Sequence, residues 1–258
     1  MNDLEQLTTL FRPITLEEMK SVKLMNRIDT KFVTTIDMLK RLLVMAKDDY
    51  RMQQTDGERN LEYHTTYFDT PDLNMFRVHQ CGHTNRQKLR FRTYVSSNLQ
   101  FMEVKTKNNH GRTKKKRMAV GDMMLDDEAK LAFLSTHLHY EPQELAPALT
   151  NRFRRITLVN AAMTERLTLD SGLWFHNERT GQERAMGELV VVEVKRDGLC
   201  PSPAFDMLRE LRIHPHGFSK YCMGTPHQPR AGQQPTETQA QGCGENHSRN
   251  TPVARHSH

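Results

Sequence analysis

Apolar and polar residues alternate with a period of two along much of the first 225 residues of this chain. Such alternation is typical of β-strands with one apolar and one polar face. Turn sequences separate many of these segments, among them Ser96-Ser97-Asn98, Asn108-Asn109-His110-Gly111 and Asp170-Ser171-Gly172. The pattern predicts eight strands, over residues 31–35, 61–68, 87–95, 99–107, 113–120, 150–159, 165–170 and 188–196.

Three other segments repeat apolar residues at the spacing of a helix. Residues 35–46 place five apolar residues on one face. A second helix is capped by Asp126 or Asp127 and ends near residue 138. Ser202 followed by Pro203 is typical of the start of a third helix. Helices this short and amphipathic are suited to packing against the outside of a sheet.

Eight strands connected mainly by hairpins predict an α+β fold, in which an antiparallel barrel or strongly curved sheet carries helices on its outside. Residues 226–258 contain no Leu, Ile, Met or aromatic residue and are rich in Gln, Pro, Gly, Ser, Thr, Asn and His. A segment of that composition buries too little apolar surface to fold. The sequence therefore predicts one domain over residues 1–225 and a disordered tail over residues 226–258.

Basic residues are concentrated in one part of the chain. Eleven of them, with the single acid Glu103, lie between Arg86 and Arg117. This stretch carries a net charge of +10 in a chain whose formal charge is +6, so the remainder carries −4. A basic excess confined to one stretch indicates an anionic partner.

Several classes of protein are excluded by other features of the sequence. No apolar run approaches the roughly 20 residues of a membrane helix, and Asp3 and Glu5 lie where a signal peptide would be basic and then apolar. The four cysteines are widely spaced, which argues against a disulfide framework or a zinc ribbon. We expect a cytoplasmic protein without a membrane segment of its own; whether it has a membrane-protein partner stays open.

The charged residues of the predicted strands share one face of each strand, opposite the apolar residues. Two arrangements fit this pattern. In an ordinary antiparallel sheet the charged face lies in solvent, whereas in a barrel it lines a polar interior. The charged residues concerned are Lys88, Arg90, Arg92, Glu103, Lys105, Lys107, Glu193 and Lys195.

An interior of this composition has a definite chemical preference. Arg and Lys bind phosphate oxygens through charge-assisted hydrogen bonds. Glutamates among them would repel phosphate unless a divalent cation lay between the two. The barrel arrangement therefore predicts a metal-bound polyphosphate as the ligand.

Nine short motifs of charged and aromatic residues lie along the chain, over residues 27–32, 67–69, 90–94, 101–105, 115–117, 153–155, 166–170, 192–195 and 218–221. They occur in the order seen in the VTC domain, and from about Met25 to Met223 the chain resembles this family, the polyphosphate polymerase domain of the triphosphate tunnel metalloenzyme superfamily. A single such motif is weak evidence, but nine in order are specific.

The resemblance implies an eight-stranded antiparallel tunnel that transfers the terminal phosphoryl group of ATP to a growing inorganic polyphosphate chain. It implies that Glu193 binds Mn²⁺ or Mg²⁺; Glu103, on an equivalent strand face, is a weaker candidate. The residues expected to hold the triphosphate during catalysis are Arg90, Arg92, Arg155 and Arg166. The other phosphate-binding candidates are Lys31, Lys88, Lys105, Lys115, Arg117, Lys195, Ser219 and Lys220, of which Lys88, Arg117 and Lys195 are chosen by strand face alone.

Two positions depart from the family. Phe153 and Gly217 stand where it can place a tyrosine and a lysine, which leaves the catalytic rate and the chain preference open. An alternative function is a tripolyphosphatase or nucleoside triphosphatase, in which a carboxylate such as Glu103 orients water. Nucleic-acid binding is a third hypothesis, weakened because no aromatic residue beyond Tyr94 interleaves the basic ones.

Some residues near these motifs are expected to have no functional role. Asp69 and Asp170 are predicted to be turn or strand-end residues, in keeping with the preference of Asp for such places. Lys114 and Lys116 lie on the opposite strand face from Lys115. Arg154 likewise faces away from Arg155.

Overall fold

The computed structural model of the protein describes residues 3–20, 22, 27–108 and 113–225. The predicted tail, residues 226–258, lies outside the described residues, as does most of the predicted turn at Asn108 to Gly111. Both stay predictions.

All eight predicted strands are present, and three short ones join them. The short strands, β1, β3 and β10, were missed because three or four residues show too little alternation to be recognised. The strands are β1 (Arg12–Ile14), β2 (Arg27–Thr35), β3 (Tyr50–Gln53), β4 (Leu61–Asp69), β5 (Arg86–Tyr94), β6 (Leu99–Lys107), β7 (Thr113–Val120), β8 (Ala146–Asn160), β9 (Glu165–Asn177), β10 (Glu183–Ala185) and β11 (Leu189–Asp197).

The main sheet has the strand order β2-β11-β9-β8-β4-β5-β6-β7, with antiparallel neighbours throughout. The short strands extend this sheet, β3 beside β8 and β10 beside β9, while β1 pairs in parallel with β3. Within the described ranges β2 and β7 do not pair with each other. The predicted α+β fold with a strongly curved antiparallel sheet is confirmed, and its form is a curled half-barrel.

The predicted turn at Asp170-Ser171-Gly172 is wrong, because β9 runs through it to Asn177. The register with β8 shifts there, between Arg152 and Arg154. Gly172 has φ +60°, the left-handed conformation that glycine adopts at little cost. The turn signal therefore marks a β-bulge, which changes the course of the strand without ending it.

Seven α-helices surround the sheet in the described part of the chain, and the three predicted ones are α3, α5 and α6. Their predicted caps are present: the side chain of Asp127 accepts from the N–H of Ala129, and Ser202 accepts from that of Phe205. The four unpredicted helices have at most seven residues each. The helices are α1 (Asp3–Thr9), α2 (Leu16–Met19), α3 (Ile36–Ala46), α4 (Asn74–Gln80), α5 (Glu128–His137), α6 (Pro203–Glu210) and α7 (Lys220–Gly224).

The apolar strand faces pack beneath helices and so form the core. In one cluster Leu39 and Leu42 of α3 pack with Val192 of β11, and all three side chains are fully buried. In a second cluster Leu134 of α5 lies with Leu89 of β5. Burial of these faces leaves the alternate, charged face of each strand on the other side of the sheet.

None of the helices in the described parts of the chain is both long and apolar enough to cross a membrane.

The bulge gives a test of the fold. Gly172→Ala should lower the free energy of unfolding by about 1–2 kcal/mol, because a non-glycine residue is strained in the left-handed region. No atom lies within 4 Å of the added Cβ, so the loss would come from the backbone alone. Urea unfolding measures it. Gly121→Ala, where the space is equally open and φ is not left-handed, is the control; equal losses in both variants would contradict the bulge.

Candidate active site on the concave face

The register of the sheet brings charged residues from seven of its strands onto one face, because residues paired across antiparallel strands point to the same side. Lys31 of β2 lies opposite Glu193 of β11, for example. We call this side the concave face. Its polar residues include Arg27, Asp29, Lys31, Thr65, Lys88, Arg90, Arg92, Glu103, Lys105, Lys115, Arg117, Asn151, Arg155, Arg166, Thr168, Asp170, Glu193 and Lys195.

Interactions between distant strands show that this face lies inside the curl. Lys31 and Lys105 are six strands apart in the sheet order. Burial lowers the pKa of Lys105 to about 8, and the charges of Arg90 and Lys31 contribute to the shift. Burial also lowers the pKa of Lys88 to about 7, and Lys105 and Lys31 again contribute. The two ends of the sheet therefore approach each other across a basic interior.

Three cations converge on a pair of stacked aromatic rings. The rings of Tyr63 and Phe153 are stacked with centroids 5.4 Å apart. The guanidinium groups of Arg92 and Arg155 lie 5.9 and 5.3 Å from the centre of the Tyr63 ring. The ammonium group of Lys220 lies 4.4 Å from the centre of the Phe153 ring. We call these two rings the aromatic floor; it gathers two arginines and a lysine at one place on the concave face.

Asp170 fixes two of these cations. Its carboxylate accepts from Nε and a terminal nitrogen of Arg155, at 2.5 and 2.7 Å, and forms an ion pair with Lys220. Burial alone would raise the pKa of Asp170, but the charges of Arg155 and Lys220 hold it well below its usual range. The prediction of a turn or strand-end role is wrong here, because the bulge keeps Asp170 inside β9.

Glu103 is fully buried, and both of its oxygens are occupied. One accepts from Nε of Arg90 at 2.7 Å, and the other accepts from Nζ of Lys115 at 3.0 Å. Burial raises the pKa of Glu103, but Arg90, Arg92 and Lys115 outweigh it and lower the pKa to about 2. The carboxylate proposed as a second metal ligand, or to orient water, therefore orients Arg90 and Lys115.

Glu193 has fewer ion-pair partners than Glu103 and is therefore better able to bind a cation. It forms one ion pair, with Lys195, and lies beside Lys31. Burial opposes ionisation, yet Lys195 and Lys31 lower the pKa of Glu193 to about 2, so it is ionised at neutral pH. Within the described ranges no three His, Cys, Asp or Glu residues are grouped to hold a metal ion. The donor set therefore fits a Mg²⁺ that arrives with phosphate oxygens, which needs only one or two carboxylates.

Besides Arg117 on the edge strand, five of the predicted cations on the concave face have no carboxylate partner in the part of the chain that the structure describes. Lys31 donates to the carbonyl oxygen of Phe218 at 2.8 Å, and Lys88 to Oγ of Ser219 at 3.2 Å. Nε of Arg166 is buried without a hydrogen-bond partner. Burying a charge without a counter-ion is unfavourable, so the face is suited to receive an anion. The five are Lys31, Lys88, Arg92, Lys105 and Arg166.

Two neutral polar residues on the same face are also left without partners. The amide group of Asn151 and the hydroxyl group of Thr168 are buried and make no hydrogen bond. Each such group costs about 1–3 kcal/mol of folding free energy if nothing pairs with it. Strand alternation alone assigns Asn151 to this face but gives no sign of the missing partner, so sequence reasoning passed over it.

Helix α7 carries the last two predicted residues to the concave face. Ser219 caps the helix by accepting from the N–H of Cys222, and Lys220 reaches Asp170. Tyr221 stacks on Tyr67 of β4 with centroids 4.8 Å apart. A Cβ atom on Gly224 would lie 2.4 Å from the Phe175 side chain, so glycine is needed for the helix to lie this close.

The remaining predicted residues lie towards the edge of the sheet or outside the site. Lys115 and Arg117 are on the edge strand β7, where Arg117 lies 4.7 Å from the Phe101 ring centre. Lys114 and Lys116 are exposed and face away, as predicted. Arg154 also faces away and lies 3.6 Å from Glu62.

The two family departures differ in their surroundings. Phe153 is buried in the aromatic floor, whereas Gly217 is exposed in the loop before α7.

Two cavities, of about 480 and 220 Å³, lie away from the charged face, one beside residues 211–216 and the other beside His64 and Arg152.

Among known protein families, the sequence model of the VTC domain matches residues 26–227 of this chain. None of the curated proteins matches. Among solved structures, the PH1012 protein of Pyrococcus horikoshii OT3 is 13% identical and covers 78% of this chain and 99% of its own, with a TM-score of 0.43. HpAC1 from Hippeastrum, described as having a dominant triphosphatase activity, is 14% identical, with coverages of 76% and 94% and a TM-score of 0.47.

The buried lysines predict a pH dependence of stability. The pKa of Lys88 is about 7 in the folded protein and about 10.4 in an unfolded chain. Between these values the unfolded state binds more protons, so the free energy of unfolding of the ligand-free protein should rise with pH.

Chemical denaturation from pH 7 to 9 measures this slope. Lys88→Met should flatten it and Lys114→Met, on the exposed side of β7, should not. Identical slopes in all three proteins would rule out a buried, destabilised Lys88.

Proposed function

The chain belongs to the VTC domain family of triphosphate tunnel enzymes, and on that premise we propose that it is a polyphosphate polymerase. It transfers the terminal phosphoryl group of ATP to the end of an inorganic polyphosphate chain. ATP and polyphosphate are its partners, and Mn²⁺ or Mg²⁺ is its cofactor. The observation that carries this proposal is the set of five cations on the concave face, Lys31, Lys88, Arg92, Lys105 and Arg166, that form no salt bridge with a carboxylate among the described residues.

Such an interior suits a substrate with several phosphates in a row. The aromatic floor gathers Arg92, Arg155 and Lys220, whereas Lys88 and Lys105 lie opposite each other on β5 and β6. A chain of phosphates would contact both groups at once and supply the missing negative charge. Each arginine would bind phosphate oxygens through its planar fork of donors.

Phosphoryl transfer requires mainly that the reactants are positioned and that the charge of the transition state is stabilised. Arg155 is already fixed by Asp170, and Arg90 by Glu103, so neither guanidinium has to reorganise as charge develops on the transferring group. The acceptor, the end of a polyphosphate chain, is ionised and needs no general base. Proton transfer to a protein group is therefore not required.

Glu193 would hold the divalent cation together with substrate oxygens. When bound, the cation supplies neutralisation of phosphate charge and a template for the two phosphate groups. Lys195, which forms an ion pair with Glu193, would then be released to bind phosphate beside Lys31.

The other hypotheses have less support. Hydrolysis would need a carboxylate free to orient water, and Glu103 is engaged on both oxygens. Nucleic-acid binding could use only the exposed part of the basic stretch, residues 114–117 on the edge strand. Arg92 is only 8% exposed and Arg90 and Lys88 are half-buried, so these three are suited to a ligand that enters the curl.

The proposed activity has a direct test. Purified protein incubated with ATP and Mn²⁺ should form chains that migrate as a ladder of long polyphosphates on a gel, with one ADP released for each unit added. Release of ADP and free phosphate without chains would favour the triphosphatase alternative instead.

Variants of two concave-face residues test the assignment of the site. Arg166→Gln and Glu193→Gln should each lower kcat by about 10²–10³, because each removes a group that stabilises charge in the transition state. Arg166 forms no ion pair with any of the described residues, so this change breaks no salt bridge among them. Arg154→Gln, on the opposite face of β8, is the matched control.

Circular dichroism should show the same fold in all three variants. Full activity of either Arg166→Gln or Glu193→Gln would remove that residue from the site, and an equal loss in Arg154→Gln would refute the assignment of faces.

A further inference from the structure

Asn151 is the most isolated polar side chain on the concave face. It is 0% exposed, and neither its amide nitrogen nor its amide oxygen has a hydrogen-bond partner. Exchanging the positions of these two atoms would not help, since both lack a partner. Buried side-chain amides are normally satisfied, so the site is suited to a polar group from outside the chain.

The neighbours of Asn151 form a row of polar side chains with one charged member. Asn151 lies opposite Thr65 of β4, and Thr65 lies opposite Arg92 of β5, so the three side chains form a row across three strands. Nε of Arg92 donates to Oγ1 of Thr65 at 3.3 Å, which directs the guanidinium group towards β4 and Asn151. Because Oγ1 of Thr65 accepts this hydrogen bond, its own proton stays available for a ligand.

Apolar rings and chains border this row on both sides. The stacked Tyr63 and Phe153 lie on one side, and the cross-strand pair of Tyr67 and Leu149 lies on the other. Surroundings of this kind strengthen a hydrogen bond between a cation and an anion. Asn151 itself lies opposite Phe175 of β9, so no carboxylate of β8 or β9 enters the row at this level.

The chemistry of the row selects an anionic oxygen acceptor. Arg92, Thr65 and the Asn151 amide nitrogen all present donors, and Arg92 has no carboxylate partner among the described residues. The Asn151 amide oxygen adds one acceptor, which suits a phosphoryl group that still carries a proton. A divalent cation, by contrast, would find a guanidinium group here.

We propose that Asn151, Thr65 and Arg92 form a deep phosphoryl subsite, in which Asn151 positions the phosphoryl group farthest inside the curl. This inference rests on the proposed function and adds to it a neutral residue that determines how the end of a polyphosphate is held. Terminal phosphates differ from internal ones in carrying a titratable proton, and Asn151 offers such a phosphate both a donor and an acceptor that no described residue occupies.

The decisive variant is Asn151→Leu, which keeps the side-chain volume close and removes the unpaired amide. The ligand-free protein should become more stable, by about 3 °C in its thermal midpoint, because an unsatisfied buried group is lost. Affinity for tripolyphosphate, measured by titration calorimetry, should fall about tenfold. A residue with a purely structural role would not change these two quantities in opposite directions.

A neighbouring residue on the other face provides the control. Oγ1 of Thr150 lies 2.8 Å from Oγ1 of Thr66 on the convex side of the sheet. Thr150→Val should therefore lower the thermal midpoint and leave tripolyphosphate affinity unchanged. Asn151→Leu, by contrast, should raise the thermal midpoint and lower the affinity. Asn151→Asp gives a second measure: its carboxylate would neutralise Arg92 and repel phosphate, so affinity should fall further than with leucine.

The outcomes separate this inference from the proposed function. If wild-type protein binds tripolyphosphate and both Asn151 variants bind it with the same affinity as wild type, the subsite is refuted. If the wild-type protein does not bind tripolyphosphate at all, the proposed function itself fails. Loss of affinity together with loss of stability in both variants would also overturn the inference, since it would mark Asn151 as structural.

Discussion

The carboxylate of Asp170 holds the parts of the site together. It binds Arg155 of the neighbouring strand and Lys220 of α7, and so joins β8, β9 and the last described helix at one buried point. A single negative charge cannot neutralise two positive ones, so the cluster is left cationic. The same contact that orders the chain thus also leaves positive charge in the interior.

The fold follows from the sequence wherever alternation is long and uninterrupted. Residues 99–107 and 113–120 were predicted with the bounds of β6 and β7, and Asp127 and Ser202 cap their helices as their sequence context indicated. Elements of three to seven residues escape prediction because tertiary packing decides their conformation. Helix α7, which depends on Tyr67, Leu149 and Phe175 for its place, is the clearest case.

The sequence predicts which strand face each residue of the site lies on, but not which hydrogen-bond and ion-pair partners it has. Strand periodicity gives the side on which Arg90, Glu103 and Asn151 lie, and motif resemblance adds roles for the charged ones. Neither the periodicity nor the resemblance shows that both carboxylate oxygens of Glu103 accept hydrogen bonds from Arg90 and Lys115. Nor does either show that the Asn151 amide has no hydrogen-bond partner among the described residues. Asp170 was misjudged because Ser-Gly is read as a turn unless the opposing strand is known.

The ionisation of Lys88 has a further consequence for the binding of an anion in the interior. With a pKa of about 7, a fraction of these side chains is uncharged at neutral pH. A bound polyanion would restore the charge by favouring the ammonium form, so association would draw protons from solution. The heat of binding would then vary with the ionisation enthalpy of the buffer, and occupancy of the interior would follow acidity as well as substrate concentration.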